Sequence, residues 1–90
     1  MVTATGSAGP CGRDALSYGA DCLVCGEVKY HDALDLSHAG LCVIELGHDV
    51  SELPLVAVLA QSVLGLGVSD DAIVLVDQSS NWWLPDAIRI

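Results

Sequence analysis

Short apolar runs alternate along this chain with stretches that suit helices, and a glycine closes most of them. The predicted strands cover residues 2–5, 21–25, 41–46 and 72–76, and the predicted helices cover residues 11–18, 30–39 and 51–64. Continuous apolar strands separated by helices are typical of parallel sheets that are covered on both faces. The sequence therefore predicts an α/β fold with the order β-α-β-α-β-α-β, in which a mostly parallel sheet lies in a three-layer α/β/α arrangement.

The chain is small for so apolar a composition. Its 90 residues allow a single domain, 52% of them are hydrophobic, and there is no phenylalanine. A domain of this size buries only about 60 to 65% of its unfolded surface. We therefore expect residues 1–90 to be one portion of a larger fold, with exposed apolar surface that drives self-association into a homo-oligomer.

The charge balance excludes several classes of partner. Three Lys and Arg residues face twelve Asp and Glu residues, which gives a formal charge of -9. Such a chain repels phosphate backbones, so no nucleic acid is expected as a partner, whereas cations are compatible. The longest apolar run, residues 53–68, is too short and too interrupted for a membrane span, and no signal peptide is evident, which predicts no membrane contact.

Four cysteines lie among apolar neighbours: Cys11, Cys22, Cys25 and Cys42. This setting is typical of buried thiols in a reducing compartment and predicts a cytoplasmic protein. Cys22 and Cys25 have the spacing of a redox or zinc pair, but an odd offset on a strand directs them to opposite faces, which favours core packing.

Polar residues cluster in the loops that follow the predicted strands. These loops cover residues 6–10, 26–31 and 47–52, and they carry Ser7, Glu27, Lys29, His31, His48 and Glu52. Ligands of open α/β sheets bind beyond the carboxyl ends of the strands, so these loops predict a site at one edge. Residues 6–9 could present backbone N–H groups to an anion or form a plain tight turn.

His48 and Glu52 allow two interpretations. Imidazole and carboxylate four positions apart can bind one divalent ion, although a complete site needs three or four protein ligands. Alternatively, Ser51 caps a helix, Glu52 faces the helix dipole, and His48 is a turn residue. Spacing by itself favours the capped helix.

Glu27, Lys29 and His31 are equally ambiguous. An acid, a base and an imidazole within five residues could serve proton transfer. They could also be a solvated helix start, in which Glu27 neutralises Lys29 and His31 bonds to backbone.

The order of these motifs resembles a known family. Residues 26–33, Gly-Glu-Val-Lys-Tyr-His-Asp-Ala, precede Gly-His-x-x-Ser-Glu at residues 47–52 by a helix and a strand. This pattern, with the turn at residues 6–9, is similar to the C-terminal half of the GTP cyclohydrolase 1 type 2 homolog family, also called Nif-three-like. The resemblance covers residues 2–77.

The resemblance implies a site for two divalent ions at the mouth of an α/β fold, in proteins that assemble as toroidal hexamers. His48 and Glu52 match the family's metal ligands, and zinc, iron and manganese all suit them. His31 matches a pocket residue that could transfer a proton, with Glu27 as a further catalytic candidate. The remaining ligands, a His pair and an Asp, belong to an N-terminal half that this sequence does not contain, so that half or another subunit is the implied partner.

Two functions follow from the resemblance. The first is a portion of a metal-dependent, cyclohydrolase-like hydrolase that acts on a small, nucleotide-like substrate, with the 90-residue chain inactive by itself. The second is a metal-binding scaffold whose oligomeric assembly is its function. Trp82 and Trp83 have no evident counterpart in the family; we interpret them as packing residues or an oligomer contact.

Overall fold

A computed structural model describes residues 1–82 as an alternation of strands and helices. In order, the elements are β1 (Val2–Ser7), α1 (Gly9–Ser17), β2 (Cys22–Glu27), α2 (Tyr30–His38), β3 (Cys42–Glu45) and α3 (His48–Gly65), with a 3-10 turn at Asp70–Ala72. The predicted α/β class is confirmed, and so is the order of the first six elements.

The strands form a parallel sheet in the order β1-β2-β3. Leu23 on β2 lies between Val2 and Val43, which sets all three strands in register at the start of the sheet. The register of β1 against β2 then shifts by one residue between Ala4 and Ser7. Such an irregularity bends a strand locally and commonly lies beside a functional site.

The core lies on one face of this sheet. Its buried members are Ala8, Ala15, Leu23, Cys25, Leu36 and Leu41. Helices α1 and α2 both contribute to this cluster, and they approach closely because Gly12 has no side chain where Leu36 packs. Side chains alternate along a strand, so Val24 and Ile44 point to the opposite face. The predicted helical layer on that second face stays a prediction.

The chain divides into two compact units, residues 1–54 and residues from 55 onward. The division falls within α3, directly after Pro54, which lies inside the helix. Helix α3 begins at His48 rather than at residue 51, where the sequence predicted its start, so Pro54 lies beyond the first turn. A proline at this depth removes one backbone hydrogen bond from the helical ladder.

Residues 72–76 do not form the predicted fourth strand. The structure places a 3-10 turn at Asp70–Ala72, and residues 73–78 have no regular secondary structure. Val74, Leu75 and Val76 are exposed. An apolar run becomes a strand only when a neighbouring strand supplies hydrogen-bond partners, and within residues 1–82 the sheet ends with the three strands above.

Apolar surface is extensive in the second part of α3. Leu55, Val58 and Leu59 are exposed, and α3 contains no buried residue. Trp82 is also exposed, whereas Trp83 lies outside the described residues. Among the residues that the structure describes, no helix combines the length and apolarity needed to cross a membrane.

Candidate functional site

The sequence predicted a site at the edge of the sheet where the strands end. At this edge the ends of β1 and β2 lie beside the start of α3. Gly6 lies near the end of β1, Glu27 ends β2, and His48 begins α3. Parallel strands all end on the same side of a sheet, so residues far apart in sequence meet there. The cluster of Glu27, His48 and Glu52 at this edge is the candidate site.

His48 and Glu52 lie on one face of the first turns of α3. The positive φ of Gly47, +101°, reverses the chain directly before the helix starts at His48. Positions four apart on a helix face the same way, and Nε2 of His48 is 3.2 Å from Oε1 of Glu52. The alternative in which His48 is a turn residue before a helix capped by Ser51 was therefore wrong.

Glu27 reaches the other nitrogen of the same imidazole. Its Oε1 lies 3.0 Å from Nδ1 of His48. In the described part of the chain Glu27 pairs with His48, not with Lys29 as the solvated interpretation proposed. Sequence reasoning placed Glu27 and His48 on one edge but gave no signal for their direct contact, because the contact depends on where β2 ends against α3.

The carboxylates of Glu27 and Glu52 flank the imidazole of His48 and determine the electrostatics of the cluster. The hydrogen bond to Glu27, and next the negative charge of Glu52, raise the pKa of His48 above its ordinary value. The side chains of His48, Glu27 and Glu52 are each about half exposed, at 49%, 55% and 48%. The cluster is thus an open, negatively charged surface feature, which favours cations.

Ser51 ties this cluster to β1. Its Oγ accepts a hydrogen bond from the backbone N–H of Gly6 at 2.9 Å and donates one to the carbonyl of His48 at 2.8 Å. The first bond joins residues 45 positions apart. Ser51 therefore fixes the first turn of α3 over the end of β1, and with it the position of His48.

Two glycines make room for the cluster. Gly6 has a φ of +63°, and a Cβ there would lie 2.6 Å from Oε1 of Glu52 and 3.3 Å from Nε2 of His48. A Cβ on Gly26 would collide with the backbone of Gly6 and approach Oγ of Ser51 to 2.6 Å. The sequence analysis placed Gly6 in a turn. A glycine at the end of a strand, directly before a polar loop, is the pattern that could have identified both Gly6 and Gly26.

The spacing of His48 and Glu52 fits one divalent ion. With ligand bonds of about 2.1 Å, two donor atoms lie roughly 3.4 Å apart in tetrahedral coordination and about 3.0 Å apart at right angles. The observed 3.2 Å between Nε2 and Oε1 falls between these values. Imidazole nitrogen and carboxylate oxygen are ordinary ligands of zinc, iron and manganese.

Glu27 does not face the space between Nε2 of His48 and Oε1 of Glu52. It contacts Nδ1, whereas Glu52 contacts Nε2, and these nitrogens face opposite directions. Consistently, no group of three or more His, Cys, Asp or Glu side chains in the described range is arranged to hold a metal. Glu27 instead contacts the far side of the imidazole, where its carboxylate orients the ring.

The other polar residues of the edge lie apart from this cluster. His31 is exposed in the first turn of α2, and its ring packs edge-on against Tyr30 with centroids 5.3 Å apart. Across residues 1–82, no hydrogen bond or ion pair joins His31 to His48 or Glu52. Ser7 and Lys29 are exposed, and Lys29 precedes α2 at its N-cap.

Comparison with known proteins supports the resemblance that the motifs indicated. The family model described as Duf34/NIF3 (NGG1p interacting factor 3) matches residues 2–78. A curated relative, the GTP cyclohydrolase 1 type 2 homolog of Clostridium acetobutylicum, is 32% identical over 53 residues, which are 59% of this chain and 20% of the relative. The chain thus spans about a fifth of the length of that relative. No solved structure matches it.

Replacing Ser51 with alanine should destabilise the fold. The substitution leaves the buried N–H of Gly6 without its acceptor, which costs about 1–3 kcal/mol of unfolding free energy. Urea denaturation measures the loss. The control is Ser62→Ala, whose hydroxyl bonds within its own helix and whose loss should cost less than about 0.5 kcal/mol. Equal losses in the two variants would contradict the bridging role of Ser51.

Gly6→Ala should lower the free energy of unfolding more than Gly19→Ala, which introduces the same backbone strain. Gly19 also has a positive φ, +77°, but a Cβ there meets nothing within 4 Å. Both alanine variants lose about 1–2 kcal/mol from the left-handed conformation. Gly6→Ala should lose less than about 1 kcal/mol beyond that, because its Cβ meets the end of the flexible, half-exposed Glu52 side chain, which can rotate away at the cost of its contact with His48. Denaturant unfolding compares them, and indistinguishable stabilities would show that the edge is loosely packed.

Glu27→Gln should lower the pKa of His48, because it removes the charged partner of Nδ1. NMR titration of the histidine rings in metal-free buffer measures this directly. Glu45→Gln is the matched control, since the Glu45 carboxylate at the same edge accepts from the backbone N–H of Val28. If both variants shifted His48 equally, the Glu27 contact would not exist in solution.

Proposed function

Because this chain belongs to the Duf34/NIF3 family, we propose that it contributes His48 and Glu52 to a divalent-metal site in a metal-dependent, hydrolase-like protein. The observation that carries the proposal is the 3.2 Å separation of Nε2 and Oε1, which suits two ligands of one ion. The family match over residues 2–78 supports it, because the Gly-His-x-x-Ser-Glu segment lies inside the matched range.

Glu27 prepares His48 for this role. A neutral imidazole that donates its Nδ1 proton to Glu27 carries its lone pair on Nε2, the nitrogen beside Glu52. A carboxylate behind a ligating histidine fixes the tautomer, orients the ring and makes the other nitrogen more basic. Glu27, a catalytic candidate in the sequence, is thereby assigned to positioning.

Ser51 and Gly6 hold the pair at the sheet edge. The hydroxyl of Ser51 anchors the first turn of α3 to β1, and the missing side chain of Gly6 leaves space beside Oε1 and Nε2. A bound divalent ion supplies Lewis acidity, which lowers the pKa of a coordinated water and polarises a substrate oxygen. We assign no chemical step to His31, whose ring contacts Tyr30.

The chain would supply only part of the site. Two protein ligands are fewer than the three or four that zinc sites use. The chain also corresponds to about a fifth of its curated relative, so we place the other ligands on residues outside this sequence, in an N-terminal half or in another subunit. The substrate of the complete protein is proposed to be small and nucleotide-like, in keeping with the cyclohydrolase name of that relative.

A second function is favoured by the apolar surface of α3. Exposed Leu55, Val58 and Leu59 are the kind of surface that other chains cover, so assembly could itself be the function and the metals could serve structure. The complete protein, metal-loaded, separates the two. Hydrolysis of any member of a nucleotide and phosphoester panel supports the hydrolase, whereas no turnover together with collapse of the assembly on chelation supports the scaffold.

Manganese should bind the 90-residue chain weakly and at one place. Mn²⁺ prefers oxygen and imidazole ligands over thiolates, so it avoids the cysteines. We expect calorimetry to give a dissociation constant weaker than micromolar, and we expect paramagnetic broadening of the His48 ring signals ahead of those of His38. The backbone amide signal of Gly6, which lies beside both side chains, reports on the ion in every variant. His48→Ala and Glu52→Gln should each abolish the broadening of this signal, whereas His38→Ala should not.

Two results would contradict the proposal. Micromolar or tighter binding by the isolated chain would show that the site is complete without further ligands. Broadening that persists in both His48→Ala and Glu52→Gln would show that the ion binds elsewhere.

A further inference from the structure

Two cysteines lie side by side at the amino-terminal end of the sheet, opposite the edge that carries His48. Cys22 begins β2, Cys42 begins β3, and the two are direct register partners on adjacent parallel strands. Their successors Leu23 and Val43 pack towards the core. Since side chains alternate along a strand, both thiols point to the opposite, more open face.

The surroundings of the two thiols differ from those of the other cysteines. Cys42 is exposed and Cys22 is half-buried, whereas Cys25 is buried in the core. The prediction of buried thiols is therefore confirmed only for Cys25, whereas Cys11 and Cys22 are partly exposed and Cys42 is exposed. Cys22 cannot pair with Cys25, because the two point to opposite faces as the sequence predicted.

The strand register brings Cys22 and Cys42 next to each other. Partial removal from water, and next the neighbouring Cys42 thiol, raise the pKa of the Cys22 thiol. Adjacent strands are about 4.8 Å apart, which lies within the range of roughly 4.4–6.8 Å between the Cα atoms of disulfide-bonded cysteines. The Cα spacing thus allows a covalent bond between them once the two Cβ atoms approach to the roughly 3.5–4.5 Å that a disulfide requires.

We propose that Cys22 and Cys42 form a reversible intrachain disulfide by exchange with a low-molecular-weight disulfide of the glutathione type. The proposal rests on the register of β2 and β3 and is independent of any metal at His48. Its consequence is structural: the bond would fasten the edge strand β3 to the central strand β2 around α2.

The exchange takes two steps, and Cys42 reacts first because it is the more exposed. The Cys42 thiolate attacks one sulfur of the small disulfide, whose S–S bond breaks and releases one small thiolate that takes up a proton. The Cys22 thiolate then attacks Sγ of Cys42 in the mixed disulfide, forms the Sγ–Sγ bond and expels the second small thiol. Two protein thiols are oxidised, one small disulfide is reduced to two thiols, and no metal or flavin is needed.

Incubation of the native chain with glutathione disulfide tests the proposal. We expect two of the four thiols to be lost, with an intact mass lower by about 2 Da and no glutathione retained. Cleavage after Arg13, Lys29 and Leu23 separates Cys22 from Cys25, so that peptide mass spectrometry identifies the linked residues. The melting temperature should rise on oxidation and return on reduction with dithiothreitol.

Substitution of one cysteine at a time shows which thiol reacts first and which completes the bond. Cys22→Ser should retain glutathione on Cys42, because no resolving thiol is present. Cys42→Ser should form no intrachain bond, and the control Cys11→Ser should behave like the unmodified chain. Four free thiols after incubation, a bond that includes Cys11 or Cys25, or a bond between two chains would each overturn the proposal.

Discussion

The hydrogen bond from the backbone of Gly6 to the hydroxyl of Ser51 connects the first strand with the third helix, and the candidate site depends on it. Sheet pairing by itself aligns β1, β2 and β3, but it does not specify where a helix after β3 begins. Ser51 fixes the start of α3 against the end of β1. Gly6 and Gly26 allow the backbones of β1 and β2 to approach each other there. His48 and Glu52 are thus held in place by main-chain geometry rather than by burial, since their side chains are half exposed.

The sequence predicted the elements of this fold well where local pattern decides them. The apolar strands, the helices that follow and the common edge of their loops all come from periodicity and glycine placement, and the strands align in parallel as expected. Residues 72–76 show the limit of this reasoning. Their composition favours a strand, but a strand exists only with a partner, and no sequence pattern states whether the partner is present.

The sequence indicated which residues meet at the candidate site but not the contacts that they make. His48 and Glu52 were identified from their spacing and the family resemblance, and spacing by itself would have favoured a capped helix. The position of Gly47 moved the helix start to His48, which placed both side chains on one helical face. The contact of Glu27 with Nδ1 depends on the register of three strands, and so does the adjacency of Cys22 and Cys42. Such long-range alignments follow from tertiary structure, not from local propensity.

The long sequence separations at this edge also have a kinetic consequence. Glu27 and His48 are 21 positions apart, and Gly6 and Ser51 are 45 apart. Each such contact closes a loop, and the entropy of closure delays contacts of this range relative to local helices. His48 can meet both of its partners only after β1, β2 and β3 have paired. The imidazole is therefore an internal reporter of completed folding in residues 1–54, and an ion held there would select chains whose sheet is already assembled.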